Sequence, residues 1–189
     1  MNIVRDTVVV NDEWTLFLDR DGVINRRIPG AYISDPLDLE FLPGVLDSLA
    51  HFSKIFRHLI VVTNQQGIGR GLMTVKQLET LHNHMLSEIS TAGGCIDGIY
   101  YCSDVANQSG NCRKPSPVMA YRAKVDFHDI DFDKSIMVGD TIADVGFGQN
   151  LGMKTVLVGE QLGYPDPEGR WEPDYILNDL VAVRSILFF

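Results

Sequence analysis

"WTLFLDRDGVIN", residues 14–25, joins an apolar run to two aspartates one residue apart and then to a glycine. The run before Asp19 lacks the polar–apolar alternation of a half-exposed strand. It reads as a strand buried on both faces, the habit of a parallel sheet. Asp19 ends the run. Asp21 follows at the i, i+2 spacing that puts two side chains on one side of an extended segment. Carboxylates so placed repel each other, and their purpose depends on what else the chain brings to that end of the strand.

Similar runs recur outward from this stretch. "HLIVVTN" (58–64), "GIYYCS" (98–103), "SIMVGD" (135–140) and "KTVLVG" (154–159) read as buried strands, and "DYILND" (174–179) as a weaker one. Helical patterns lie between them. "PGVLDSLAHFSKIF" (43–56) spaces Val45, Leu49, Phe52 and Phe56 along one face. Residues 74–92 open with Thr74 and Gln77 in capping-box spacing and stop at Gly93-Gly94. Ser116-Pro117 has the form of an N-cap with proline at the first helical position, and a last helix runs from Ile142 to Leu151 before Gly152. Strand–helix alternation predicts an α/β fold, doubly wound about a mostly parallel sheet with right-handed crossovers. A single domain over 1–189 is expected, with an ordered surface loop at 163–174.

Composition narrows the function classes. The 189 residues are 45% hydrophobic and 22% charged, which suits one soluble core. No apolar stretch approaches the roughly 18–20 residues that span a bilayer, and the N-terminal apolar runs, interrupted by Asp6, Asp12 and Glu13, make a poor signal peptide. Three cysteines, an odd number, argue against a disulfide framework. A cytoplasmic protein without a membrane partner is expected. The net charge of −9 speaks against nucleic acid, whose backbone is held by Lys and Arg. A small anionic substrate responds instead to the local field of a cleft.

Ligands of doubly wound folds sit beyond the carboxyl ends of the strands. Asp19, Thr63-Asn64 and Gly139-Asp140 stand at such ends, and Arg113-Lys114 precede a helix in a crossover. Asp19, Asp21, Asp140 and Asp144 gathered there need a cation, and oxygen ligands beside phosphate suit Mg²⁺. The Thr63 hydroxyl, the Lys114 ammonium and the backbone N–H groups of the 19–22 turn would surround an anion. This set suits phosphoryl transfer. One aspartate can attack phosphorus, and the other can protonate the leaving oxygen and then activate water.

"FLDRDGVIN" (17–25), "VVTNQQGIGRG" (61–71), "CRKPSPVM" (112–119) and "MVGDTIADVGFGQNLGM" (137–153) resemble, in order and separation, the four motifs of the haloacid dehalogenase-like phosphatases. More narrowly they resemble the branch of heptose 1,7-bisphosphate and histidinol-phosphate phosphatases. The resemblance implies that Asp19 is the nucleophile and Asp21 the general acid/base, with Thr63 and Lys114 on the phosphoryl group. It implies Mg²⁺ on Asp19, the Asp21 backbone carbonyl and Asp140, with Asp144 supporting Lys114 or the metal's waters. Asn64, Gln65, Arg113 and the loop carrying Arg27 and Tyr32 correspond to positions that touch the rest of the substrate. The implied protein is a monomeric, Mg²⁺-dependent phosphomonoesterase of a small phosphorylated metabolite, with the 7-phosphate of a heptose 1,7-bisphosphate as first choice. Histidinol phosphate is the nearest alternative, and a catalytically silent sensor of a phosphorylated ligand is an alternative of another class.

The gaps after Asp21 and after Thr63 are too short, or too helical, for a folded lid, so a capless, open site is expected. Arg26, Arg27 and Arg113 exceed what one phosphate needs and suggest a second anionic group on the substrate. In that branch zinc often pins a loop through C-x-H and a later C-x-C. In "YYCSDVANQSGNCRKP" (100–115), Cys102 and Cys112 match the outer positions, but Asp104 and Gly110 replace the other ligands. Zinc is not expected there, and the two cysteines read as leftover thiols. Arg20 and the five histidines receive no role, and Arg70 is open between phosphate contact and loop ordering.

Overall fold

In the computed structural model, which describes residues 7–106 and 110–188, the apolar runs are strands because both of their faces are covered. In chain order β1 is Val8–Val9, β2 Thr15–Leu18, α1 Val45–Phe52, β3 His58–Asn64, α2 Gln66–Gly69, α3 Val75–Thr91 and β4 Gly98–Cys102. There follow α4 Val118–Asp126, β5 Ser135–Thr141, α5 Ile142–Gln149, β6 Lys154–Leu162, β7 Tyr175–Ile176 and β8 Leu187–Phe188. The main sheet runs β4-β3-β2-β5-β6-β7, and every pair in it is parallel.

Alternate residues of each strand serve opposite faces. Leu16, Leu18, Leu59, Val61, Ile136 and Val138 pack with Val45, Leu49 and Phe52 of α1 and with Met85 and Ile89 of α3. Phe17, Ile60, Val62 and Met137 pack on the other side with Met119, Ala120 and Ala123 of α4 and Phe147 of α5. Each such side chain contributes about 1.5–3 kcal/mol of burial. The α/β, doubly wound, parallel reading therefore holds. Residues 20–44 and 65–97 add turns, α2 and α3 but no folded lid over the strand ends.

The elements differ from expectation in detail. β7 keeps only Tyr175–Ile176 of the run 174–179. Asp174 turns aside to accept from the Thr155 N–H and hydroxyl, both at 2.9 Å. The expected capping box opens α3, but Ser116 does not cap α4, whose N-cap position is Pro117 without a side-chain bond. β1 and β8 were not expected. They pair in parallel, Val8 with Leu187 and Val9 with Phe188, and are too short to show a period.

Candidate active site

Strands running one way bring Asp19, Asn64 and Asp140 to a single rim, where Asp19 and Asn64 line a cavity of about 460 Å³. Lys114 is buried in its lining. Its Nζ donates to the Val62 carbonyl at 2.8 Å and pairs with Asp19 Oδ1 at 2.8 Å and Asp144 Oδ1 at 2.5 Å. Its backbone N–H donates to Asn64 Oδ1 at 3.0 Å, which ties the 112–114 segment to the end of β3. Asp144 is held by the start of α5: the Thr141 N–H and hydroxyl donate to its Oδ2 at 3.0 and 2.6 Å. A Cβ on Gly139 would overlap this carboxylate. Gly22 has φ 94°, open to glycine at little cost, and a Cβ there would overlap the Asp140 carboxylate. The glycine after Asp21 thus serves both the turn and the close approach.

Asp19, Asp140 and Asp144 place one oxygen each within 4.8 Å of one another. Burial pushes the Asp19 carboxyl up to about 6, with Asp144 and Asp21 adding to the rise and Lys114 opposing it. Burial and the neighbouring Asp19 charge push Asp140 up to about 7. Burial disfavours the Lys114 ammonium, but Asp144 and Asp19 outweigh it and raise its pKa. Hard oxygen donors this close suit a divalent cation of the Mg²⁺ kind. The arrangement already accommodates positive charge: Arg27 Nη2 lies 2.6 Å from Asp140 Oδ1, 2.8 Å from the Asp21 carbonyl oxygen and 3.8 Å from Asp19 Oδ2. These are the same atoms expected to hold the metal.

Asp21 differs. Burial would raise its pKa, but the Arg20 charge and hydrogen bonds from Asn25, Arg20 and Gln65 outweigh it and hold the carboxyl low. Arg20 Nη2 reaches both oxygens, at 2.9 and 2.8 Å; Asn25 Nδ2 donates to Oδ1 at 3.0 Å and Gln65 Nε2 to Oδ2 at 2.9 Å. Two carboxylates two residues apart are thus driven in opposite directions, a pattern that separates roles in acid–base sites.

Asp19, Asp21, Thr63, Asn64, Lys114, Asp144, Arg27, Tyr32 and Arg113 all line the cavity. Gln65, expected toward substrate, is buried and bridges the Asp21 carboxylate and the Thr63 hydroxyl, the latter at 2.8 Å. Arg27 lies on the carboxylates rather than reaching past them. Arg26 is turned out to Glu40 at 2.8 Å. Arg70, left open by the sequence, joins the lining. Three residues were given no role and now have one. Arg20 and Asn25 are fully buried at Asp21, and His82 meets Arg20. His82 had a visible signal: it shares the buried face of α3 with Leu78, Leu81 and Met85.

The cysteines require a correction. Cys102 and Cys112 are not leftover thiols but are joined in a disulfide, leaving Cys95 free. An odd count speaks of number, not proximity. The end of β4 and the segment held on Asn64 bring the two Cα atoms within 5.5 Å. Asp104 Oδ2 accepts from the Cys112 N–H at 2.9 Å.

The chain is similar to known proteins over most of its length. Residues 111–183 match the HAD-hydrolase-like family model. The chain is 37% identical over 182 positions to the D-glycero-beta-D-manno-heptose-1,7-bisphosphate 7-phosphatase of Escherichia coli (strain K12), covering 91% of this chain and 92% of the relative. It is 37% identical over 139 residues, 74% of this chain and 73% of the relative, to the D-glycero-alpha-D-manno-heptose-1,7-bisphosphate 7-phosphatase of Mycobacterium tuberculosis (strain ATCC 25618 / H37Rv). The crystal structure of D,D-heptose 1.7-bisphosphate phosphatase from B. bronchiseptica, complexed with magnesium and phosphate, superposes with TM-score 0.80 at 30% identity, over 91% of this chain and 96% of that one. With the four motifs converging on one buried Lys–Asp centre, the chain belongs to the haloacid dehalogenase-like hydrolases and is a phosphatase.

Proposed function

We propose that the chain is a Mg²⁺-dependent phosphomonoesterase that works through an aspartyl-phosphate on Asp19 and removes the 7-phosphate of D-glycero-D-manno-heptose 1,7-bisphosphate. The observation that carries this reading is the buried Lys114 ammonium bridging Asp19 and Asp144 in the lining of the cavity. A phosphoryl oxygen set against Lys114 and the Thr63 hydroxyl presents phosphorus to the Asp19 carboxylate. In its minor protonated form Asp21 gives its proton to the departing oxygen. As the carboxylate that its hydrogen bonds favour, it then takes a proton from the water that releases phosphate. Asp19, the Asp21 carbonyl and Asp140 would hold Mg²⁺, which supplies charge neutralisation between nucleophile and phosphate.

The substrate half rests on the named relatives and on two arginines at the cavity. Burial lowers the Arg113 pKa, and the charge of Arg70 pushes the same way. A second anionic group near Arg113 relieves that repulsion, and a bisphosphate supplies one. Histidinol phosphate carries an ammonium at its far end instead. With Arg26 paired to Glu40, the second anion falls to Arg113 and Arg70 rather than to the 26–27 pair. The relatives carry both anomeric names, so the proposal covers either anomer. A monomer belongs to the same proposal. Among the described residues no helix is long and apolar enough to cross a membrane.

Steady-state kinetics on both substrates test this directly. kcat/KM for the heptose bisphosphate should exceed that for histidinol phosphate by at least about tenfold, and Arg113→Ala should narrow the gap chiefly through the bisphosphate. Asp19→Asn should be folded and inactive. Equal efficiency on the two substrates refutes the substrate, and an active Asp19→Asn refutes the covalent step.

A further inference from the structure

Arg20 lies between the two aspartates of the motif yet is among the most buried large side chains in the molecule. Its Nε and Nη2 both face Asp21 Oδ1, at 3.2 and 2.9 Å, and Nη2 also meets Oδ2 at 2.8 Å. Its other terminal nitrogen, Nη1, lies 3.1 Å from His82 Nε2, in the middle of α3. A guanidinium only donates, so His82 Nε2 must accept and the ring proton must sit on Nδ1. Burial, with the Arg20 charge adding to it, pushes the His82 pKa down to about 3, which keeps the ring neutral and able to accept. Tyr101 of β4 packs edge-on against the imidazole, with ring centroids 6.3 Å apart. A chain of contacts therefore runs from α3 through His82 and Arg20 to the Asp21 carboxylate at the cavity.

We propose that His82 is a positioning residue for phosphoenzyme hydrolysis, holding Arg20 so that Arg20 keeps the Asp21 carboxylate in the orientation that takes a proton from the attacking water. The inference rests on the aspartyl-phosphate reading above. Its geometry concerns the second half-reaction in particular. The hydrogen bonds converging on Asp21 all end on acceptor oxygens, the form that receives a proton rather than the form that gives one. In that half-reaction a water O–H breaks as its oxygen attacks phosphorus, the proton passes to Asp21, and the bond from phosphorus to Asp19 breaks to free the Asp19 carboxylate and phosphate.

This assignment separates two kinetic quantities. With p-nitrophenyl phosphate, whose leaving group departs without a proton, kcat/KM reports events up to formation of the phosphoenzyme, while kcat also includes its hydrolysis. His82→Leu keeps the apolar volume and removes the acceptor. It should lower kcat about tenfold, leave kcat/KM within about twofold, and show a burst of p-nitrophenolate comparable to the enzyme concentration. His82→Gln, whose amide oxygen can stand where Nε2 stands, should restore kcat to within about threefold of the parent. Should the leucine variant not fold, His82→Asn, polar but too short to reach Nη1, takes its place in the comparison. Loss of kcat and kcat/KM in parallel, unchanged kcat, or a glutamine variant no better than leucine overturns the role of His82. Asp21→Asn, run beside these, separates the two levels. If it shows a burst and stalls while His82→Leu does neither, the inference fails and the acid/base reading stands. If it turns over normally, the reading itself fails.

Discussion

Asp19 and Asp140 sit in surroundings that favour protons, at about 6 and about 7, while Asp21 is held low. The signs follow for metal binding. Below these values the two carboxyls carry protons that a cation must displace, so affinity falls as pH falls; above them no proton competes. Calorimetric titration of Mg²⁺ should show binding tightening at least about tenfold from about pH 5.5 to 7.5, and changing little above about pH 8. An affinity independent of pH would show that no proton on these carboxyls competes with the cation over this range. Arg27 offers a second handle, because its guanidinium lies on Asp140, the Asp21 carbonyl and Asp19. Arg27→Ala should bind Mg²⁺ more tightly in the same titration, since no cationic side chain then has to be moved aside.

At the scale of elements, the start of α5 does two jobs with one motif. The Thr141 hydroxyl accepts from the Asp144 N–H while Asp144 accepts from Thr141, closing the helix end and aiming a carboxylate at Lys114. Thr141→Val keeps the shape and removes the hydroxyl. It should cost about 0.5–2 kcal/mol by urea denaturation and should also lower turnover, because Asp144 loses a bond that orients it. A loss of stability without loss of turnover would separate the cap from the chemistry. Gly22→Ala tests the first turn. The alanine must take φ 94° and would overlap the Asp140 carboxylate, so Mg²⁺ affinity should fall even where the protein stays folded. These devices were partly legible. Thr74–Gln77 shows as a capping box from spacing alone, whereas Thr141–Asp144 carries aspartate where that motif takes glutamate or glutamine.

Across the whole molecule, the disulfide closes the loop between the end of β4 and the Arg113-Lys114 pair, joining residues ten apart in sequence. In the loop-entropy account, a closed loop of this size stabilises by about 2–3 kcal/mol. The Cys102→Ser/Cys112→Ser double variant should therefore unfold at lower urea, and dithiothreitol should shift the parent toward it. Identical midpoints with and without reductant would show that the bond adds nothing. The first and last described strands meet likewise, β1 against β8 over the core of one sheet face. No sequence pattern two residues long announces such a pairing.

The sequence alone determined the sheet and its rim. Short unbroken runs rich in β-branched residues, such as Leu59–Val62, favour a strand covered on both faces, and parallel order then delivers Asp19, Asn64 and Asp140 to one end. Local chemistry follows from order in the chain, so Asp19, Lys114 and the pair Asp140 and Asp144 could be read as residues of one site. Only the tertiary structure decided which of their neighbours face them. Gln65 turns to Asp21, Arg27 lies on Asp140, Arg26 leaves for Glu40, and Arg20 reaches back to His82 in α3. Cys102 and Cys112 meet for the same reason. Periodicity tells which face a side chain occupies, but partners brought together across 62 residues, as Arg20 and His82 are, depend on how helices dock on the sheet, and no local spacing encodes that.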